Sequence, residues 1–129
     1  MPFKWFFWLL NFKRCTDIIP EQEIIKRKFK EKIVSCFLEY IILGHYLKGE
    51  NFGGYDVLQL IHEQFGFFIS TGTVYTTLYA MERNGLLVGF DSAKKRVFNV
   101  TDKGKSSFEV IASDTNIESF ITKIFKPQP

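Results

Sequence analysis

The hydrophobic pattern changes its period at Gly85, and this change constrains the fold of the chain more than any other feature. Before Gly85, the residues Val74, Leu78 and Met81 recur at i, i+4 and i+7 and form one apolar stripe of a helix. After it, "LLVGFD" and "RVFNVT" alternate with a period of two on either side of "SAKK". Ser70 is a suitable N-cap and Gly85 a suitable C-terminal stop. We therefore predict a helix that leads directly into a β-hairpin with a basic tip.

The predicted helix, about Thr71 to Asn84, presents small, hydroxyl-bearing and cationic groups opposite its apolar stripe. That face consists of Gly72, Thr73, Thr76, Tyr79, Ala80 and Arg83. None of these residues is a carboxylate, and the free amides at the amino end of a helix suit a phosphate oxygen. Taken alone, the helix allows two interpretations: a surface for a partner, or the solvated face of an ordinary packing helix.

Three further helices are predicted around this unit. The first starts at Pro20 and runs without a breaker to Lys48, and its nearly all-apolar second half should lie in the core. The second has about 12 residues and ends at Gly66. Thr101 caps the last helix, which bends or restarts at Asp114. The sequence thus predicts a mainly α fold with a small β-hairpin, a winged helix-turn-helix whose hairpin is the wing.

This fold gives the polar helix face a purpose. A helix in the major groove of DNA can place hydroxyls against base edges or phosphates and methyl groups against thymine. Because the outer face of this helix suits the major groove, the predicted partner is double-stranded DNA.

The hairpin alternation puts Val88 and Phe90 on one face of their strand, and Phe98 and Val100 on one face of theirs.

Composition and charge limit the other function classes. The 129 residues are 46% hydrophobic, which suffices for one domain with a core. The net charge is only +3, but residues 83–105 hold six Lys and Arg against two Asp, a local 6 − 2 = +4. There is no Gly-rich phosphate loop, nucleophile motif or carboxylate pair, so an enzyme is not predicted. Cys15 and Cys36 are expected to be reduced thiols in a cytoplasmic protein, and His45 and His62 have no ligand-type helical neighbour, so neither a metal nor a cofactor is expected.

The N-terminus is strongly aromatic. Its uninterrupted apolar run from Trp5 to Leu10 is shorter than the roughly 20 residues of a membrane-spanning helix. No small-residue cleavage site of a signal peptide follows it. We predict an arm that packs on the body or on a second subunit, without stable membrane insertion; loose membrane-surface attachment, disorder and a misassigned start remain alternatives. The predicted division of the chain is an aromatic arm at 1–19, a winged helix-turn-helix at 20–101, and a C-terminal dimerisation helix with a tail at 102–129.

Three spaced motifs resemble the PadR family of winged-helix transcriptional regulators. They are "FLEYIILGHYLKGENFGGYDVLQLI", "STGTVYTTLYAMERNGLLVG" and "KRVFNVTDKGKSSFE", in the family's order over roughly residues 37–109. The chain departs from the family pattern at Thr71 and Thr76, where Pro is common, and at Gly53, where His is frequent. Each threonine keeps a hydroxyl and a backbone N–H that proline lacks.

The resemblance implies a homodimer that binds a palindromic operator and represses transcription. In the family, the last helix and the first helix or N-terminal arm pack against the other subunit. Relatives can respond to small aromatic molecules, and the aromatic content of 17% could line a dimer cavity for such an effector. Aromatic residues at helical spacing more often pack in the core, which is the other interpretation. An alternative from another class is a winged-helix protein that serves as a protein–protein adaptor.

The predicted functional residues form two sets, with no catalytic or metal-binding residues. Those predicted to contact DNA are Ser70, Thr71, Thr73, Tyr75, Thr76, Tyr79, Arg83, Lys94, Lys95 and Arg96. Those predicted at the dimer interface are Trp5, Trp8, Ile117, Phe120, Ile121 and Ile124. Tyr75 lies at the edge of the apolar stripe, where a partly buried packing ring is as good an interpretation as a DNA contact.

Overall fold

The computed structural model describes residues 20–126, which form six helices and one hairpin. The helices are α1 Glu21–Cys36, α2 Leu38–His45, α3 Gly54–Phe65, α4 Thr71–Arg83, α5 Asp102–Ala112 and α6 Ile117–Phe125, and the strands are β1 Leu87–Ser92 and β2 Lys95–Val100. The predicted mainly α fold with one small hairpin is confirmed. The arm predicted at 1–19 lies outside the described residues.

The first predicted helix is interrupted at Phe37, so the prediction of one unbroken helix from Pro20 to Lys48 is wrong. Phe37 has φ −100° and ψ 15°, which lie outside the α-helical region. Its carbonyl accepts a hydrogen bond from the N–H of Ile41 at 3.0 Å, so a new helix, α2, starts there. Neither Gly nor Pro marks the break in the sequence. In the second half, Leu38, Ile42, Leu43 and Tyr46 are buried as expected, whereas Cys36 and Phe37 at the break are exposed.

The core lies where α4 packs on α2, α3 and β1. The predicted apolar stripe of α4 is confirmed, because Val74, Leu78 and Met81 have no exposed surface. Val57 and Ile61 of α3 are equally buried. Burying a side chain of this size stabilises a fold by roughly 1.5–3 kcal/mol. The stripe therefore fixes which side of α4 faces inward and leaves the hydroxyl-rich side outward.

The wing is a regular antiparallel hairpin with a two-residue turn. Gly89 stands opposite Phe98 in the register. The turn residues Ala93 and Lys94 have φ values of 48° and 68°, the pattern of a type I′ turn. This turn matches the twist of the flanking strands, but its positive φ raises the conformational energy of a residue with a Cβ by about 1 kcal/mol or more.

The two faces of the hairpin follow the predicted alternation. Phe98 and Val100 share the buried face, whereas Val88 and Phe90 share the opposite, exposed face. Phe98 also exchanges two backbone hydrogen bonds with Phe52, of 3.0 and 2.7 Å. These contacts anchor the root of the wing in the core.

The C-terminal segment contains two helices. The Thr101 Oγ1 accepts a hydrogen bond from the Gly104 N–H at 3.1 Å and donates one to the Gly85 carbonyl at 2.6 Å, which confirms the predicted cap of α5. Of the two outcomes predicted at Asp114, a restart is the one observed. The Asp114 carboxylate accepts a hydrogen bond from the Asn116 N–H at 2.8 Å, just before α6.

Because of Tyr46, the stability of this fold should decrease at alkaline pH. Its ring is buried, and its hydroxyl has a pKa raised from 10.0 to about 12 by that burial and by the carboxylates of Asp56, Glu50 and Glu63. The folded state thus favours the neutral phenol. Its contribution to stability is fully present below pH 10 and is lost as the pH rises from 10 toward 12. At about 1.4 kcal/mol per pKa unit, the free energy of unfolding should fall by about 2–3 kcal/mol across this window.

Urea titrations at pH 8, 10 and 11.5 measure this loss. The matched control is Tyr46→Phe, which keeps the ring stacked on Phe52 at a centroid distance of 3.9 Å. We expect a flatter dependence on pH for the variant. Equal slopes for the two proteins between pH 10 and 11.5 would contradict the assignment to Tyr46.

Candidate nucleic-acid interface

The amino end of α4 is open to solvent. The Ser70 Oγ accepts a hydrogen bond from the Thr73 N–H at 3.4 Å, so the predicted N-cap is confirmed. Thr71 and Gly72 are exposed. A Cβ built on Gly72 would meet nothing in the described chain within 4 Å except the Ser70 Oγ, at 3.4 Å. The amides of Thr71 and Gly72 at the start of the helix, which have no partner within it, can therefore receive an anionic oxygen here.

The outward face of α4 continues with polar groups toward the carboxyl end. Thr73 is half-buried, whereas Thr76, Tyr79 and Arg83 are exposed. At 1.5 Å of rise per residue, these four positions span about 15 Å of helix. The face therefore offers two hydroxyls, a phenol and a guanidinium along nearly three turns.

Tyr75 lies at the junction of α3 and α4. It is half-buried, and its ring covers Gly54, where a Cβ would lie 2.6 Å from the Tyr75 hydroxyl oxygen. The Tyr79 ring is 6.2 Å from that of Tyr75 and meets Phe98 edge-on at 5.9 Å, both between centroids. Packing thus explains the position of the Tyr75 ring, and its contact with DNA stays a prediction.

Two of the predicted wing cations occupy the tip of the hairpin. Lys94 is the second residue of the turn and Lys95 the first residue of β2, and both are exposed. Within residues 20–126, neither forms an ion pair. Their charges are therefore available to a partner.

The third predicted wing cation, Arg96, has partners within the protein. Its Nη2 donates to the Glu82 Oε2 at 2.7 Å and its Nη1 to the Asp91 Oδ1 at 3.4 Å. Desolvation lowers the pKa of Arg96, but the charge of Glu82 and the hydrogen bonds to Asp91 and Glu82 outweigh it and raise that pKa. Asp91 stands opposite Arg96 in the hairpin, so the register signals this pair. Glu82 is 14 residues away on α4, and sequence analysis missed it.

The predicted dimer residues of α6 form an unburied apolar face. Phe120 and Ile124 are 64% and 62% exposed, and no residue of α6 is buried. The helix borders an open groove of about 710 Å³, lined among others by Phe37, Tyr40, Ile111, Ile117, Ile121 and Ile124. Trp5 and Trp8 lie outside the described residues.

In the described part of the chain, no helix is long and apolar enough to cross a membrane. No cluster of three His, Cys, Asp or Glu side chains suited to a metal ion occurs in residues 20–126.

Helices α2, α3 and α4 are followed by a hairpin, and the outer face of α4 is polar. An ion pair joins the hairpin to α4. This arrangement defines a winged helix-turn-helix protein. The model of the "Transcriptional regulator PadR-like family" matches residues 42–110, more than half of the chain. The chain belongs to this family of transcriptional regulators, which are not enzymes, and the resemblance carried by the three motifs is confirmed.

Solved structures of PadR-family regulators have the same fold. A regulator from Eggerthella lenta aligns with a TM-score of 0.63 and 20% identity over 83% of this chain and 97% of its own. A PadR-like regulator from Bacillus cereus gives 0.58 and 22% over 75% and 99%. PadR from Bacillus subtilis, solved with operator DNA, gives 0.52 and 24% over 60% of this chain and 46% of its own. No curated protein matches this chain.

Proposed function

We propose that this protein binds a palindromic operator in duplex DNA as a homodimer and represses transcription. The observation that carries the proposal is the exposed, hydroxyl-rich face of α4 together with two unpaired lysines at the wing tip. A helix fits the major groove, and a hairpin beside it reaches the phosphate backbone or the minor groove. The operator complex of Bacillus subtilis PadR supports DNA as the class of partner.

The ten DNA-contact residues divide by chemistry. Ser70 and Thr71 are assigned to a phosphate at the helix end, Thr73 and Thr76 to base edges, Tyr75, Tyr79 and Arg83 to the rims of the groove, and Lys94, Lys95 and Arg96 to the backbone beside it. Phosphate contacts fix the position on DNA, whereas base contacts select the sequence. Specificity is thus assigned to α4 and affinity mainly to the wing.

The turn conformation supports a role for the wing tip. Asn and Gly are favoured in type I′ turns, yet Lys94 occupies a position with φ 68°. A lysine at this conformational cost puts a cation at the point of the hairpin that extends furthest from its root. A DNA phosphate that pairs with this cation would explain why a lysine occupies an unfavourable backbone conformation.

Replacing both Lys94 and Lys95 by alanine should weaken binding to all duplex sequences alike. Each phosphate contact contributes a slope of about −0.9 to the dependence of log affinity on log salt. The double variant should therefore bind with a slope flatter by about 1.8 units. Fluorescence anisotropy with random and operator duplexes at several salt concentrations measures this, with Lys28→Ala, an exposed lysine of α1, as the control. An unchanged slope for the double variant would contradict the wing assignment.

Changing Thr73 or Thr76 to alanine should instead alter the preferred base at one or two operator positions. A hydroxyl that reads a base edge contributes about 1–3 kcal/mol of discrimination. Binding selection from a randomised operator pool, with the wild-type protein in parallel, reports the preference. Equal loss of affinity for all sequences would reassign these residues to phosphates.

The dimer, the domain division and the effector belong to the same proposal. We assign residues 1–19 to an arm, 20–101 to the winged domain and 102–129 to the dimerisation segment. The apolar face of α6 supports pairing through this last segment, and the arm is assigned to the same interface. The groove of about 710 Å³ has the size and apolar lining that suit a small aromatic effector.

A footprint on the protein's own upstream region tests the operator. We expect two protected half-sites related by a dyad and about 34 Å apart, one turn of DNA. A reporter fused to this region should be repressed by the protein. If the protein binds neither this region nor random duplex at low salt, the adaptor alternative replaces the regulator.

A further inference from the structure

The ion pair between Glu82 and Arg96 joins two elements that both belong to the proposed DNA surface. Glu82 is on the last turn of α4, and Arg96 is the second residue of β2, next to the wing-tip lysines. Their side chains are only 27% and 33% exposed, and the distance between Nη2 and Oε2 is 2.7 Å. The second partner, Asp91, is 84% exposed and lies at 3.4 Å, so it holds the guanidinium more weakly.

Gly89 provides the space for this pair. A Cβ at Gly89 would lie 2.8 Å from the Glu82 Oε2 and 3.0 Å from both Nε and Nη2 of Arg96. Gly89 is not among the glycines with positive φ, so no special backbone conformation accounts for it. The guanidinium also lies 6.0 Å from the centroid of the Phe98 ring. The pair therefore rests on bare backbone of β1, beside the ring that anchors the wing.

We propose that the Glu82–Arg96 pair sets the position of the wing tip relative to α4, and that Arg96 acts on DNA binding as a positioning residue through this contact. This inference rests on the proposed function and corrects the role of one residue in it. The hairpin root is held by Phe98, whereas the strand ends near the turn are exposed. Because Lys95 directly precedes Arg96, fixing the Arg96 side chain on α4 limits the swing of the tip lysines. Lys94 and Lys95 then contact the DNA phosphates at a fixed distance from the major groove that α4 enters.

The sign of the effect at Glu82 separates the two roles of Arg96. If Arg96 contacts a phosphate directly, Glu82→Gln frees the guanidinium and removes a carboxylate from the DNA surface, so affinity is unchanged or higher. If the pair positions the wing, Glu82→Gln weakens operator binding although a negative charge is lost. Arg96→Met then weakens it similarly, and the double variant is no worse than either single variant, because one interaction is lost in all three.

The experiment measures operator affinity and its salt slope for wild type, Glu82→Gln, Arg96→Met and the double variant, with Asp91→Asn as the matched control on the exposed pair. We expect operator affinity to fall about tenfold for Glu82→Gln, Arg96→Met and the double variant, and about twofold or less for the control. The salt slopes should stay at the wild-type value. Unchanged or tighter binding by Glu82→Gln, together with a slope flatter by about 0.9 for Arg96→Met, would overturn the positioning role.

Hydrogen exchange of the hairpin amides in the free, full-length protein tests the contact without DNA. We expect faster exchange at the wing strands in Glu82→Gln and Arg96→Met, with unchanged exchange in the α2 and α3 core. Unaltered exchange at the wing would overturn the inference. Failure of the wild-type protein to bind any duplex would instead refute the proposed function, and the exchange result would still decide whether the pair positions the wing.

Discussion

Replacing both Phe120 and Ile124 by serine is expected to convert a dimer into monomers and to lower operator affinity by about 100-fold or more. Both side chains are more than 60% exposed, and α6 contributes no residue to the core of its own chain. Pairing across a two-fold axis would bury this face and present two α4 helices to successive major grooves. A monomer binds each half-site independently and loses the high effective concentration of the second.

Sedimentation at micromolar concentration and operator titration of the same samples measure the two effects. Lys123→Ser is the matched control, because it introduces serine on α6 at an exposed polar position. The control should remain a dimer with wild-type affinity. Removal of residues 1–16 separates the arm from the helix: weaker dimerisation with an intact fold would assign the arm to the interface. A wild-type protein that sediments as a monomer would refute the dimer.

The parts of the fold that sequence analysis predicts well depend on contacts between neighbouring residues. The bounds of α4 follow from a hydroxyl at Ser70 and a glycine at Gly85, whose φ of 79° favours a residue without a Cβ. The hairpin faces follow from alternation, and the cap at Thr101 from a threonine ahead of an acidic first turn. Each signal operates within a few residues, so one sequence suffices to find it.

The features that sequence analysis missed depend on contacts across the fold. No breaker residue marks the end of α1 at Cys36 or the interruption at Phe37. The partner of Arg96 on α4 is a tertiary neighbour, and an unbranched charged residue on a helix gives no sign of where it points. For Tyr75, sequence analysis leaves two interpretations open, because the edge of the stripe borders both the core and the surface; the packing of its ring on Gly54 needs the fold to be seen. The DNA-contact residues themselves remain predictions, since their test requires DNA.

Gly104→Ala is expected to destabilise the fold by about 3 kcal/mol, although helix propensity alone predicts a gain of about 1 kcal/mol. Gly104 is buried in the first turn of α5. A Cβ there would overlap the carbonyl oxygen of Leu86 and lie 2.9 Å from Val100 Cγ1 and 3.1 Å from Leu43 Cδ2. The Leu86 carbonyl cannot simply move away, because it accepts a hydrogen bond from the Thr101 N–H at 3.1 Å.

Adding the methyl group at Gly104 therefore forces α5 away from the root of the hairpin or breaks the hydrogen bond between Thr101, directly after β2, and Leu86, directly before β1. Overpacking of this kind costs about 1–3 kcal/mol, and leaving the carbonyl without its donor adds about 1 kcal/mol more. Urea unfolding followed by circular dichroism gives the free energy change, with Ser106→Ala, at an exposed position of the same helix, as the matched control. The control should gain a few tenths of a kcal/mol from propensity alone. A stabilised Gly104→Ala variant would mean that the close approach of α5 to Leu86 does not exist in solution, because only open space at this position lets helix propensity decide the sign.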